Sequence, residues 1–314
     1  MKIRQLPVST RRGGLVNRQG IAIRSRAKIN FYLEVLALRP DGYHEIDTVM
    51  LPISWSDTLY MAPNPTGEIR FSWVADSGFN QPIPAGAENI VVRSVQRLRE
   101  RAGETRGLDL FLVKRVPTQA GLGGASSNAA AALRGACRIW EIDWPRERLW
   151  QVAAEIGSDV PFFLWDTPAR CRGRGEDVQP VQSVGGLPLV MVQPPRGLLT
   201  ADVYRQADQL TPPGSTPLRS PNELLRRLAQ GGLNQIASSL FNRLESAAAC
   251  ILEEIDVARR AFRETPALAF QMSGSGSCCF GLFGSRRAAA MAAARLARIL
   301  DGFRVATCLS SGSV

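Results

Sequence analysis

Histidine is almost missing from this 314-residue chain: His44 stands alone. A Ser-His-Asp triad would depend on it entirely, and a two-histidine metal site is excluded. Cysteine is sparse, and Cys137, Cys171, Cys250, Cys278, Cys279 and Cys308 form no CxxC pair, which argues against a zinc site and a disulfide framework. No window approaches 18 uninterrupted apolar residues, and the start lacks the apolar run of a secretory signal. A cytoplasmic protein without membrane association is expected. Acidic residues are absent from the first 26 positions, which carry Lys2, Arg4, Arg11, Arg12, Arg18, Arg24 and Arg26. The formal net charge of +10 is therefore mostly a property of that end, and the remainder is only mildly basic. An acid-poor start suits a transit peptide, an RNA-touching arm or a poorly ordered extension, and the last is expected for residues 1–20.

What is present is ordinary globular composition, 45% hydrophobic and 21% charged. Ile21, Ile23, Ala27, Ile29, Phe31, Leu33 and Val35 alternate with polar or aromatic residues, the period of a half-buried strand on which Lys28 and Asn30 share the polar face. "RPDG" at Arg39–Gly42 predicts a turn, after which "YHEIDTVMLPIS" resumes extended structure. Val91, Val95, Leu98 and Ala102 form a helical stripe closed by Gly103. A strand over Leu108–Val116, helices to about Ile139 and over Arg146–Ile156, and a strand within Leu187–Pro195 follow. The last third predicts helices at Glu223–Ala229 and Arg243–Arg263, a strand-turn-strand in "AFQMSGSGSCCFGLF", and a packing helix over Ser285–Leu300. Strands and helices in both halves say α+β, and regular patterning lapses between about Arg170 and Gly186, where a domain boundary is expected.

The segment "VPTQAGLGGASSNAAAALRGA", Val116–Ala136, sets glycines directly before a strong helix former. Glycine lets backbone N–H groups approach a ligand, and the first turn of the following helix adds unpaired donors and a positive dipole end. Together they make an anion cradle. It is neither of the common phosphate motifs: no Lys-Ser or Lys-Thr follows the glycines, and Ser126 holds the third Rossmann glycine position. Read alone, such a segment is equally a tight turn without ligand, Asp159 in "IGSDVPFF" a cap, and Lys28 a solvated strand residue.

"PTQAGLGGASSNAAA", together with "AKINFYLEVLALRPDGYHEIDTVM" at Ala27–Met50, "GSDVPFF" at Gly157–Phe163 and "MSGSGSCCF" at Met272–Phe280, resembles the GHMP kinases from about Ile21 to the C-terminus. "AKINFYL" with "PDGYH" is similar to the branch acting on a cytidine-diphosphate-linked methylerythritol. Ala125 stands where a third glycine is usual there, and Thr118-Gln119 are bulkier than many relatives have.

The resemblance implies a two-domain fold, each domain a mostly antiparallel sheet with helices and the site in the cleft between them, with domains at 21–178 and 179–314. It implies transfer of the ATP γ-phosphate to a tertiary 2-hydroxyl, with Mg2+ accompanying the nucleotide and no named metal ligand. By carry-over, Asp159 is the general base and Lys28 stabilises charge on the transferring group. Pro117, Thr118, Gln119, Ala120, Gly121, Leu122, Gly123, Gly124, Ala125, Ser126 and Ser127 would bind ATP, with Asn89 near the adenine and also a helix N-cap. Gly274, Ser275 and Gly276 would close near the phosphates. Asn30, Tyr43, His44 and Tyr204 would hold the substrate, the aromatic groups taking the two faces of the cytosine. A monomer or weak homodimer is expected, with no nucleic-acid partner. The competing readings are a GHMP kinase for homoserine, mevalonate or a sugar, and a nucleic-acid binder using the arginine-rich start.

Overall fold

The computed structural model describes residues 20–76, 83–210 and 217–313. The extension expected over residues 1–20 thus lies, apart from Gly20, outside the described residues. In chain order the elements are β1 (Ile21–Leu38), β2 (His44–Asn64), β3 (Ile69–Ala75), α1 (Ile90–Ala102), β4 (Gly107–Lys114), α2 (Gly124–Trp140), α3 (Arg146–Ile156), α4 (Val160–Trp165), β5 (Ala169–Gly173) and β6 (Asp177–Pro180). Then come β7 (Pro188–Gln193), α5 (Thr200–Leu210), α6 (Asn222–Gln230), α7 (Leu233–Ser238), β8 (Phe241–Asn242), α8 (Glu245–Ile251), α9 (Glu254–Arg263), β9 (Ala267–Met272), β10 (Cys279–Phe283), α10 (Arg286–Ile299) and β11 (Arg304–Leu309).

Among the described residues, two sheets organise the molecule. The first runs β3-β4-β2-β1-β8, with β5 and β6 extending from β2; the second runs β11-β7-β10-β9. Pairing is antiparallel except at β3–β4 and β1–β8. The expected mixture of mostly antiparallel sheets with helices is therefore found.

β1 departs from its predicted half-buried character, since Ala27–Glu34 is buried without interruption. Ile21 and Ile23 pack into the core beneath α2, whereas Ala27, Ile29 and Phe31 belong to the core between the sheets, where Phe31 stacks on Phe280 at 5.5 Å. Residues of one parity thus serve two cores. A register irregularity between Arg26 and Lys28 re-aims the strand midway. The second sheet encloses a third core with α5, α8, α9 and α10.

Chain punctuation explains several ends. Asn89 caps α1 by accepting from the Val91 N–H at 2.9 Å, and Gly103 closes it in the left-handed conformation. The predicted turn forms with Gly42 N–H bonded to the Arg39 carbonyl at 3.0 Å. The long helix predicted over Arg243–Arg263 is broken in two, because Leu252 takes an extended conformation between α8 and α9. Where regular patterning lapses, β5 and β6 form a hairpin on β2.

Candidate active site

A cleft of ≈ 310 Å³ opens where the glycine segment between β4 and α2 meets β1, the β9–β10 loop and the start of α5. Gly121 (φ +70°) and Gly123 (φ +64°) use the left-handed backbone that glycine alone enters freely. Neither has room for a side chain: a Cβ on Gly121 would lie 1.9 Å from the Ser273 carbonyl oxygen, and one on Gly123 2.8 Å from the Phe163 ring. Gly123 is also the N-cap position of α2, so the N–H groups of Gly124, Ala125 and Ser126 have no carbonyl within the helix to pair with. All three residues line the cleft, giving the donor cradle and positive helix end that suit a phosphate.

The cradle is tied to both sheets. Lys28 N–H donates to the Leu122 carbonyl at 3.0 Å. The buried Ser273 hydroxyl donates to the Gly121 carbonyl at 2.9 Å and accepts from Asn30 N–H at 3.3 Å.

Lys28 is 4% exposed. Its Nζ donates to Asn30 Oδ1 at 2.7 Å and lies 3.6 Å from Asp159 Oδ2. Asn30 donates from Nδ2 to Thr48 Oγ1 at 2.8 Å, and that hydroxyl donates to the Tyr32 carbonyl at 2.6 Å, which turns the amide oxygen toward the ammonium. Asp159 stands at the N-cap position of α4, yet its side chain makes no capping bond. The carboxylate faces the cleft instead, so a cap accounts for its place in the chain and not for its side chain.

At the other end of the cleft His44 stacks on Tyr204, with ring centroids 4.8 Å apart and planes at 29°. His44 Nε2 lies 2.9 and 3.1 Å from the Asp208 carboxylate oxygens. Burial first, and the Asp159 charge second, push the Tyr204 phenol above the ordinary tyrosine range, so it remains neutral. Tyr43 is exposed beneath the Arg174 guanidinium, 5.1 Å from its ring, and Arg174 lines the cleft. His44 and Tyr204 are in direct contact, so no base-sized gap separates those two rings.

Two expected nucleotide residues lie elsewhere. Ser127 is buried and its hydroxyl accepts from Ser25 at 2.8 Å, because its place in the first turn points it back at β1. Asn89 is occupied on both sides of its amide, the oxygen by the α1 cap and Nδ2 by the Pro84 carbonyl at 2.7 Å. The other residues expected around the phosphates, Pro117 to Ser126 and Gly274 to Gly276, line the cleft together with Lys28, Asn30, Asp159 and Tyr204. Sequence reasoning passed over Arg174, Ser273 and Thr200, whose hydroxyl meets that of Ser275 at 2.9 Å. The "GRGE" turn at Gly173–Glu176 carried a signal for Arg174; Ser273 and Thr200 had none beyond their neighbours.

Models of the "GHMP kinases N terminal domain" and "GHMP kinases C terminal" match residues 89–167 and 221–301. The chain is 38% identical over 275 residues to the 4-diphosphocytidyl-2-C-methyl-D-erythritol kinase of Pelotomaculum thermopropionicum, spanning 87% of this chain and 93% of that one. The chain belongs to the GHMP kinases, among the 4-diphosphocytidyl-2-C-methyl-D-erythritol kinases. Its Salinibacter ruber relative of the same name is 37% identical over 84% of this chain and 90% of its own. A crystal structure of 4-(cytidine 5'-diphospho)-2C-methyl-D-erythritol kinase superposes with a TM-score of 0.78 at 31% identity, covering 93% of this chain and all of that one. Homoserine kinase from Cytophaga hutchinsonii superposes at 0.73 with 18% identity over 96% and 98% of the two chains, a likeness of fold alone. In this GHMP kinase no described helix is long and apolar enough to cross a membrane.

Proposed function

We propose that the protein transfers the γ-phosphoryl group of ATP to the 2-hydroxyl of 4-(cytidine 5'-diphospho)-2-C-methyl-D-erythritol, giving the 2-phosphate and ADP. The observation that carries the chemistry is Lys28 beside Asp159 at 3.6 Å, on the wall of a cleft that also holds the glycine cradle. A tertiary alcohol attacks only as its proton leaves, and the Asp159 carboxylate is the group that takes it. The triphosphate rests on the N–H groups at the start of α2. Lys28, kept in place by Asn30, stabilises the charge on the phosphoryl oxygens in flight. Asn30 thereby shapes the wall beneath the reacting hydroxyl.

The rim of Tyr43, His44, Tyr204 and Arg174 supplies what a cytidine diphosphate needs: flat faces for the base and a guanidinium for anionic oxygens. With His44 and Tyr204 in contact, the base enters by opening that stack or on the free face of Tyr43. Mg2+ would accompany the nucleotide and neutralise charge on its phosphates, and the Asp159 carboxylate in the cleft has the hard oxygens that would help to hold such an ion.

A coupled ADP-release assay over an alcohol panel tests the proposal. ADP should appear with the cytidylylated methylerythritol and not with homoserine, mevalonate or a sugar. Turnover of one of the latter in its place would assign this cleft to another substrate.

A further inference from the structure

Beneath the phosphate cradle, outside the cleft, lies a charge that the chemistry above does not use. Asp57 on β2 is wholly buried, as is Lys114 at the end of β4. One Asp57 oxygen, Oδ1, accepts from the backbone N–H groups of Arg115 and Val116 at 2.6 and 2.8 Å. The other, Oδ2, accepts from Lys114 Nζ at 2.7 Å and from Asn128 Nδ2 at 2.9 Å. Arg115 and Val116 lead into the loop that carries Gly121 and Gly123, and Asn128 lies in α2, which leaves that loop.

We infer that Asp57 is a positioning residue for ATP, clamping the entry and exit of the phosphate-binding segment to one carboxylate. Three observations carry this. First, the four donors divide by oxygen, with the segment's entry backbone on Oδ1 and the α2 side chain on Oδ2, so the anion sets the spacing of the segment's two ends. Second, Lys114 Nζ lies 3.2 Å from where a Cβ of Gly124 would sit and also donates to the Val116 carbonyl, so the ion pair fills the space under the first α2 residue of the cradle. Third, the buried Asn128 Oδ1 has no partner among the described residues, so within them its amide is held on the Nδ2 side alone. Replacing a buried pair by apolar groups is often neutral for stability, so a clamp of this kind makes more sense as geometry than as adhesive.

The inference rests on reading the glycine segment as the ATP cradle, and the test separates the two. Steady-state kinetics of the full chain would vary MgATP and the alcohol independently for Asp57→Asn, Asn128→Ala and Gly123→Val. The clamp predicts a rise of about tenfold or more in the KM for ATP in Asp57→Asn and of about threefold or more in Asn128→Ala, each with the alcohol KM within twofold. A merely structural role would instead reduce the active fraction, lowering kcat with both KM values unchanged, and that result overturns the clamp. So does a parallel rise in both KM values. Asn128→Ala keeps a strong helix former and both members of the ion pair, so it decides alone if Asp57→Asn does not fold. If Gly123→Val raises the ATP KM while the other two do not, only the clamp falls; if Gly123→Val leaves it unchanged, the cradle and the clamp fall together.

Discussion

Lys28 Nζ and Asp159 Oδ2 meet at 3.6 Å although one rides on a central strand and the other begins a short helix. That proximity separates chemistry from binding. Asp159→Asn is expected to lower kcat by about 10²-fold or more while the KM for ATP changes by less than about threefold. Rapid-quench measurement of the chemical step under saturating substrates checks it, and wild-type kcat in the variant would rule out proton abstraction by this carboxylate.

Gly121→Ala should act through the nucleotide. The new methyl group would sit 1.9 Å from a backbone oxygen of the β9–β10 loop, in a conformation costing a non-glycine residue about 1–3 kcal/mol. The loop must retreat, so the KM for ATP should rise by about tenfold or more and the thermal midpoint should fall. Calorimetry together with ATP titration reads both.

Tyr204→Ala removes the flat partner of His44. Stacking of this kind is typically worth about 1–3 kcal/mol per base, so the KM for the cytidylylated alcohol should rise about 5- to 150-fold with ATP kinetics preserved. A variant with both KM values unchanged would remove Tyr204 from the base site.

Glu34 tests the scaffold. Fully buried, it takes two bonds from Arg243 at 2.7 and 2.8 Å and one from the Arg219 N–H at 2.9 Å. Breaking a buried pair from one side commonly costs about 3–5 kcal/mol; Arg243 reaches partly to water, so about 3 kcal/mol is expected for Glu34→Ala in urea unfolding.

Glu104 gives a pH test. Bonds from the Arg106 guanidinium at 2.6 and 3.0 Å hold its carboxyl down to about 2, from an ordinary 4.5. Because the folded value is the lower one, the contribution is present in full above about 4.5 and disappears as the pH falls toward 2. Wild type should therefore melt above Glu104→Ala at pH 7, by a small margin since Arg106 is half exposed, and the gap should close through that acid window.

Much of this was readable in the residues. Arg146–Ile156 is helical over the residues predicted, and the alternation starting at Ile21 marked β1, because local patterns there agree with the final packing. The β5–β6 hairpin escaped notice because "ARCRGRGEDVQP" is too polar to show an apolar alternation; it is set by pairing with β2. The break at Leu252 has no proline or glycine to announce it. Within the site, residues inside contiguous motifs could be placed, whereas Asp57, Arg174 and Ser273 take their significance from segments far away in the chain.

β8 is two residues long, yet it pairs Phe241 and Asn242 with Tyr32 and Leu33 of β1, and Asn242 Nδ2 donates to the Met272 and Gly274 carbonyls at 2.8 Å each. A gene cut near codon 180 would therefore yield one piece with a naked strand edge and another with a dangling β-segment.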